Sequence, residues 1–211
     1  MLKNPKRRGF TLIELLVVIA ILALLMSIII ITLNPAEILR KARDTKWIVD
    51  LSSLRTALNL YVTDVTSPEM GTSTWCFASL PVGPAATACT NECNTPGRTT
   101  GACSATPRLT TGPGWIPVNF NSISSGSPLS ALPVDPKNST STSGWFYYAY
   151  GADNTAKTFE LNANMESVYF KSGGGDVVST DGGNSTTTYE VGSAPGLNLL
   201  GATTTTFYAY P

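Results

Sequence analysis

The chain opens with a segment that is apolar on every side. Between Phe10 and Leu33 a single residue, Glu14, carries an ionisable side chain. A helix over these residues would extend about 36 Å, which exceeds the ~30 Å hydrocarbon core of a bilayer. The pattern therefore predicts a transmembrane helix over 10–33.

Four basic residues, Lys3, Lys6, Arg7 and Arg8, precede this segment. By the positive-inside rule the basic end stays cytoplasmic, so the chain after Leu33 is expected outside the cytoplasm. A conventional secretory signal is the alternative interpretation, but its apolar region is shorter and ends at a small-residue cleavage site, which does not follow here. We therefore expect the apolar segment to be retained.

The apolar segment ends at Asn34–Pro35. Proline lacks the amide hydrogen and its ring clashes with the preceding turn, so the helix is predicted to bend, locally melt or end at Pro35. A plain helix end at the membrane surface is the alternative.

An amphipathic pattern follows over 34–63 and predicts a helix with one buried face. Its charged positions, which include Asp44, are assigned to the solvated face. Its basic residues are interpreted as a collar in water that pairs with acidic side chains or headgroups, in preference to a nucleic-acid patch. Those basic residues are Arg40, Lys41, Arg43 and Lys46. The apolar positions at three- and four-residue steps are Leu39, Ala42, Trp47, Ile48, Leu51, Leu54, Leu58 and Tyr61.

The rest of the chain changes to Gly, Pro, Ser, Thr and Asn with scattered aromatics. Residues 64–114 have almost no period and are interpreted as a long disulfide-bearing loop. Residues 115–211 are expected to form an antiparallel β head with C-terminal loops, and a last strand is expected at 207–210. The strand-like stretches are 115–123, 145–151, 157–164 and 168–170. The predicted fold class is α+β, with the long N-terminal helix packed on a small antiparallel sheet.

The composition narrows the function classes. The chain has 14 basic and 14 acidic residues and no histidine, so the commonest general base is missing and no stripe of positive charge indicates a nucleic-acid ligand. A membrane-anchored carboxylate hydrolase that uses Asp135 and Glu160 is kept as a remote alternative. The chain is expected not to be an enzyme.

Four cysteines, Cys76, Cys89, Cys93 and Cys103, lie close together in the sequence. In an exported protein an even set predicts two disulfides, whose three pairings the sequence does not distinguish. A zinc site is the alternative, but the gaps lack the close pairs that such sites use.

Glu14 is a carboxylate within the membrane segment, where a charge is costly and a partner is expected. One interpretation is that Glu14 reaches the headgroups. The other is that it pairs with a positive charge on a neighbouring copy, which a cut between Gly9 and Phe10 would supply as a new α-amino group.

Residues 6–22, with the order Lys6-Arg7-Arg8-Gly9-Phe10-Thr11-Leu12-Ile13-Glu14, resemble the class III signal of type IV prepilins and type II secretion pseudopilins. The resemblance implies that 1–9 is a leader, that a membrane prepilin peptidase cuts after Gly9, and that Phe10 becomes N-methylated. It also implies that Glu14 serves subunit recruitment and that inner-membrane machinery assembles the membrane-held chains into a helical homo-oligomer.

Two further segments resemble parts of major pseudopilins and some pilins. Residues 132–136, Leu-Pro-Val-Asp-Pro, match one of their motifs. The glycine- and aspartate-rich stretch around Asp176, Asp181 and Asn184 is similar to a calcium loop, with an ordinary flexible surface loop as the alternative. Apart from this calcium, no cofactor or metal is expected.

The leading expectation is a structural subunit of an extracellular pilus-like filament on the cell surface. A pseudopilin of a type II secretion system is the alternative, and the disulfide-bearing loop with its Ser/Thr-rich surroundings favours the exposed pilus. Trp75, Phe77 and Trp115 are expected to pack beneath the loop, with an exposed adhesive patch as the alternative.

Overall fold

The computed structural model describes residues 9–81, 89, 98, 100–141 and 144–200. It divides into two compact units, one ending at Leu39 and the other beginning at Arg40. Residues 1–8 of the expected leader, Cys93 and the C-terminal residues 201–211, which include the strand predicted at 207–210, lie outside the described residues.

The first unit contains helix α1, Leu12–Leu33. Its end is set by Asn34, whose φ of 41° and ψ of 74° are left-handed and stop the helical ladder. The carbonyl of Asn34 then accepts a hydrogen bond from the Glu37 N–H at 3.0 Å, and Asn34 Oδ1 accepts from the same N–H at 3.4 Å. Pro35 is the first residue of helix α2, a position where its missing N–H costs nothing. The structure thus places a helix boundary at Asn34–Pro35.

Helix α2 covers Pro35–Asp64. From Trp47 onward its apolar positions form the predicted buried face, and the buried members are Trp47, Leu51, Leu54, Ala57, Leu58 and Tyr61. The prediction was wrong nearer the start, where Leu39 is 60% exposed and Ala42 is also exposed. It was wrong as well for Asp44, which was assigned to the solvated face and is fully buried.

The second unit contains a five-stranded sheet in the order β2-β1-β5-β6-β7 and a separate two-stranded pair, β3-β4. The strands are β1 Trp75–Pro81, β2 Thr100–Ser104, β3 Ser139–Ser141, β4 Gly144–Phe146, β5 Ala149–Asp153, β6 Thr158–Ala163 and β7 Tyr189–Gly192. A short helix α3, Val168–Lys171, and two 3₁₀ turns, Phe120–Ser122 and Pro195–Leu197, complete the described elements. The α+β fold class is confirmed.

Pairing within the sheet differs from the all-antiparallel expectation. Strands β1, β5, β6 and β7 are antiparallel neighbours, but β1 and β2 run parallel. A parallel pair needs a crossover connection. Both strands of this pair come from 64–114, which had been predicted as loop. The sheet is therefore mixed, and the expectations of a structureless 64–114 and of a purely antiparallel sheet were wrong.

Two of the four predicted strands are also not strands. Within 115–123 the apolar side chains anchor a loop, since the Trp115 indole N–H donates to the Pro133 carbonyl at 2.8 Å and Phe120 is fully buried in a 3₁₀ turn. At 168–170 the Ser167 hydroxyl caps the Phe170 N–H, which starts α3 instead. The other two predictions, 145–151 and 157–164, contain β4 with the start of β5, and β6.

The sheet is buried on both faces. One face packs on α2 and carries Phe77, Tyr150, Phe159 and Leu161 into the main core. The opposite side, called the outer face below, has its own small cluster, whose members are Cys76, Ala78, Leu80, Cys89, Tyr147, Ala149 and Leu200. In β6 every residue from Phe159 to Ala163 is buried, so polar side chains on its outer face are sealed from water.

We expect Leu54→Ala to lower the free energy of unfolding by about 2–5 kcal/mol, because Leu54 is fully buried between α2 and the sheet and its loss leaves a cavity. The measurement is denaturant unfolding of the full chain in detergent. Leu60→Ala on the same helix is the control, since Leu60 is 39% exposed, and it should cost far less. Equal losses from the two variants would contradict the packing described here.

Candidate assembly site and the buried polar groups

The start of α1 leaves the expected cleavage point open to solvent. Phe10 is 83% exposed, and a side-chain carbon added at Gly9 would meet no atom within 4 Å. The Gly9–Phe10 peptide bond is therefore accessible, and the glycine is not needed for packing.

Thr11 and Glu14 form a capping box at the N-terminus of α1. The Thr11 hydroxyl accepts the Glu14 N–H at 3.3 Å, while Glu14 Oε2 accepts from the Thr11 N–H at 2.8 Å and from the Thr11 hydroxyl at 2.7 Å. The other oxygen, Glu14 Oε1, accepts no hydrogen bond from the described residues. Glu14 thus completes a cap within its own chain through Oε2, and within the described part of the chain Oε1 has no hydrogen-bond donor.

The surface of α1 is apolar and uncovered. Its described large apolar side chains are 48–82% exposed, and the 19 residues Leu12–Ile30 are long and apolar enough to cross a membrane. The Ser27 and Thr32 hydroxyls each donate 2.7 Å hydrogen bonds to carbonyls of their own helix, so they need no water. This helix requires lipid or other protein around it.

A comparison with protein-family models matches residues 4–30 to the prokaryotic N-terminal methylation motif. The chain carries the class III signal peptide of type IV pilins and pseudopilins. The comparison with curated proteins and the comparison with solved structures each found no match.

The class III signal indicates the general functional class of the chain. It supports a type IV pilin-like or pseudopilin precursor and indicates a structural protein. It is consistent with processing by a prepilin peptidase, and together with α1 it is consistent with membrane insertion before filament assembly. Thr11, which sequence reasoning had passed over, belongs to the same site because it holds the Glu14 carboxylate.

The three described cysteines are joined in disulfides. Cys89 pairs with Cys103 of β2, with 5.8 Å between their Cα atoms, and Cys76 of β1 is also disulfide-bonded. For these three residues the zinc alternative is therefore wrong. The partner of Cys76 lies outside the described residues. The Cys89–Cys103 bond closes a loop of 14 residues between the parallel strands, a constraint worth about 3 kcal/mol in chain-entropy models.

A buried polar junction, which sequence reasoning missed, ties α2 to the chain after β6. The Asp44 carboxylate accepts from the Glu166 N–H at 2.9 Å, the Ser167 N–H at 2.7 Å and the Ser167 hydroxyl at 2.6 Å. Beside it Arg43 makes a two-bond ion pair with Glu166, both bonds 2.7 Å, and Lys137 binds the same carboxylate at 2.7 Å. The predicted pairing of the collar with acidic side chains is met at Arg43.

The carboxylates of the hydrolase alternative have separate surroundings. Asp135 lies by the polar junction, and its Oδ1 accepts from the N–H groups of Lys137 and Asn138 at 2.7 and 3.2 Å. Burial raises the pKa of Asp135 to about 6 in spite of these bonds. Glu160 instead faces Glu190 on the outer face. Among the described residues no hydrogen bond joins Asp135 to Glu160.

In the predicted calcium loop, the carboxylate oxygens of Asp176 and Asp181 accept hydrogen bonds from backbone N–H groups. Asp176 accepts from the N–H groups of Val178 and Ser179, both at 3.1 Å. Asp181 accepts from Gly183 at 2.9 Å and from Glu190 at 2.8 Å, while Asn184 is exposed. Within the part of the chain that the structure describes, no three His, Cys, Asp or Glu side chains are grouped to hold a metal. Calcium at Asp176, Asp181 and Asn184 stays a prediction.

We expect Asp135→Asn to stabilise the protein relative to wild type as the pH rises. Because the folded-state pKa is raised from 3.8 to about 6, the contribution of Asp135 is fully present below 3.8 and is lost as pH rises through about 6. Asparagine keeps the acceptor without the charge. The difference in unfolding free energy should shift by about 1–3 kcal/mol in favour of the variant between about pH 4 and pH 7. A difference that stays constant across this range would contradict the assignment.

Proposed function

We propose that the mature chain begins at Phe10 and is a structural subunit of an extracellular type IV pilus-like filament. The observation that supports this proposal is the exposed apolar surface of α1. This helix is capped by Thr11 and Glu14 and overlaps the class III signal. In the membrane this surface contacts lipid, and in the filament it contacts the α1 helices of neighbouring copies.

Glu14 supplies the specific contact in this proposal. Its Oε1 pairs with the N-methylated amino group of Phe10 on a neighbouring copy, while Oε2 keeps the cap of its own helix. Within a helix bundle that excludes water, such an ion pair is strongly favoured over an unpaired carboxylate. The inner-membrane assembly machinery adds subunits one at a time to the growing fibre.

The main competing function is a pseudopilin of a type II secretion system, which uses the same helix in a periplasmic fibre. Disulfides at Cys76 and Cys89–Cys103, on the outer face, fit a head that is exposed to oxidising conditions, which both the cell exterior and the periplasm provide. Filaments sheared from whole cells and imaged by electron microscopy, together with the mass of their subunit, decide between the two.

We expect Gly9→Leu to abolish leader removal without disturbing the fold, because a side-chain carbon added at Gly9 would meet no atom of the described residues within 4 Å. The readout is intact mass of the membrane-bound chain in cells that contain the peptidase, with wild type giving a chain that begins at methylated Phe10. Asn4→Leu, a substitution in the leader away from the junction, is the matched control and should be processed. Normal trimming of the Gly9→Leu chain would overturn the proposed cleavage site.

Two substitutions of Glu14 separate its two roles. Glutamine at this position of a capping box still accepts from the Thr11 N–H, so Glu14→Gln should keep the helix cap and lose the charge. We expect normal processing but at least about a tenfold lower filament yield, the factor that corresponds to about 1.4 kcal/mol.

Glu14→Leu, which removes both the cap and the charge, should give no more filament than Glu14→Gln. Wild-type yield from Glu14→Gln, with reduced yield from Glu14→Leu alone, would show that capping and not charge pairing drives recruitment. Thr11→Val serves as the complementary control, since it weakens the cap and leaves the Glu14 charge in place.

A further inference from the structure

Two glutamates face each other on the outer face of the sheet, and neither reaches solvent. Glu160 lies on β6 and Glu190 on β7, and both side chains are 0% exposed. The register pairs Asn162 with Glu190 and Glu160 with Gly192, so Glu160, Asn162 and Glu190 point to the same side. This side is opposite to Phe159, Leu161 and Val191, which enter the main core.

The two glutamates accept hydrogen bonds from two other segments of the chain on the outer face, one at Leu199 and Leu200 and one at Ser185. Glu160 Oε2 accepts from the N–H groups of Leu199 and Leu200, at 2.6 and 3.1 Å. Glu190 Oε2 accepts from the Ser185 N–H at 2.8 Å. Leu200 is fully buried in the outer cluster, so these bonds fix the chain that covers the sheet.

The charged groups around the pair leave it short of positive charge. Arg98, 3% exposed, attracts Glu160 and donates to the carbonyls of Leu199, Trp75 and Ala152 at 2.6, 2.6 and 3.0 Å. On the other side Asp181 repels Glu190. Arg55 of α2 lines a small pocket together with Asp181.

The two carboxylates also have few hydrogen-bond donors among the described residues. Glu160 Oε1 is buried and accepts no bond from the described residues, and the Asn162 amide reaches Glu190 Oε1 only at 3.5 Å. Two buried carboxylates facing one guanidinium leave one negative charge uncompensated. A single proton between the two carboxyls removes this charge and gives Glu160 Oε1 a partner.

We propose that Glu160 and Glu190 share one proton, and that this shared proton is a pH-operated latch that holds residues 199–200 and Ser185 on the outer face of the sheet. Loss of the proton leaves two facing carboxylates in a dry site. The segments they hold then move away and admit water.

The titration of the pair has a definite direction. Burial raises the pKa of both carboxyls above 4.5, and the charge of Glu190 raises that of Glu160 further, while Asp181 raises that of Glu190. A raised folded-state pKa means that the stabilisation is complete below 4.5 and is lost as pH rises through the pair's raised pKa. The latch is therefore closed in acid and opens in alkali, and the helix-facing core stays closed.

Hydrogen exchange measured by mass spectrometry on the full chain in detergent tests the opening. After correction for the intrinsic pH dependence, wild-type protection of peptides containing Leu199 and Leu200 should fall about tenfold per pH unit above the pair's pKa, while α2 peptides around Leu54 keep theirs. In Glu160→Gln the amide mimics the protonated partner, so protection should persist at alkaline pH. Glu69→Gln, at an exposed carboxylate, is the control and should behave as wild type.

Infrared spectroscopy of the wild-type chain tests the proton itself and does not depend on a variant. A protonated-carboxyl C=O band at about pH 7 that is absent from a folded Glu160→Gln/Glu190→Gln chain, and present in Glu69→Gln, supports the shared proton. Its absence from wild type overturns the proposal. Opening of Glu160→Gln at the wild-type pH also overturns it, as does protection that depends on calcium or a chelator without the band, since a cation would then hold the pair.

Discussion

A helix that is apolar around its whole circumference has no favourable environment in water, and α1 is such a helix. Its described large apolar side chains are about half exposed or more, so its free energy is lowered only by lipid or by other protein. In the filament that we propose, the capping box at Thr11 and Glu14 places a carboxylate where an incoming amino group can reach it. Membrane insertion and the proposed association of copies both meet this single requirement.

The head differs from α1 in that both faces of its sheet are covered by other parts of the chain. On one face α2 supplies an apolar cover from Trp47 to Tyr61, and on the other the chain near Leu200 and the disulfide at Cys89 supply a smaller one. A two-sided sheet seals polar side chains inside, so each needs a partner. Asp44 has three hydrogen-bond donors, whereas Glu160 has one oxygen that accepts no hydrogen bond from the described residues.

Elements with a strong periodic pattern could be predicted from the sequence. Strand pairings and hydrogen-bond partners that are distant in the sequence could not. The uniform apolarity of α1, the period of α2 and the aromatic order of β6 predicted these elements because local composition determines them. The parallel pairing of β1 with β2 escaped prediction because it joins segments that are not adjacent in the sequence, and local composition does not determine such a pairing. Asp44 was misassigned for a related reason: its donors at Ser167 lie over a hundred residues away, and helical spacing alone put it on the solvated face.

The order of the sheet leaves β2 and β7 at its two borders, with five and four residues. Unpaired backbone at such a border is a template for strand addition from another molecule, and the hazard grows with border length and with local concentration. In the filament that we propose, the subunits hold their heads side by side at very high local concentration. Borders this short, one of them ending at Gly192 and turning away through Pro195–Leu197, let crowded heads remain separate folded bodies instead of merging into a continuous sheet.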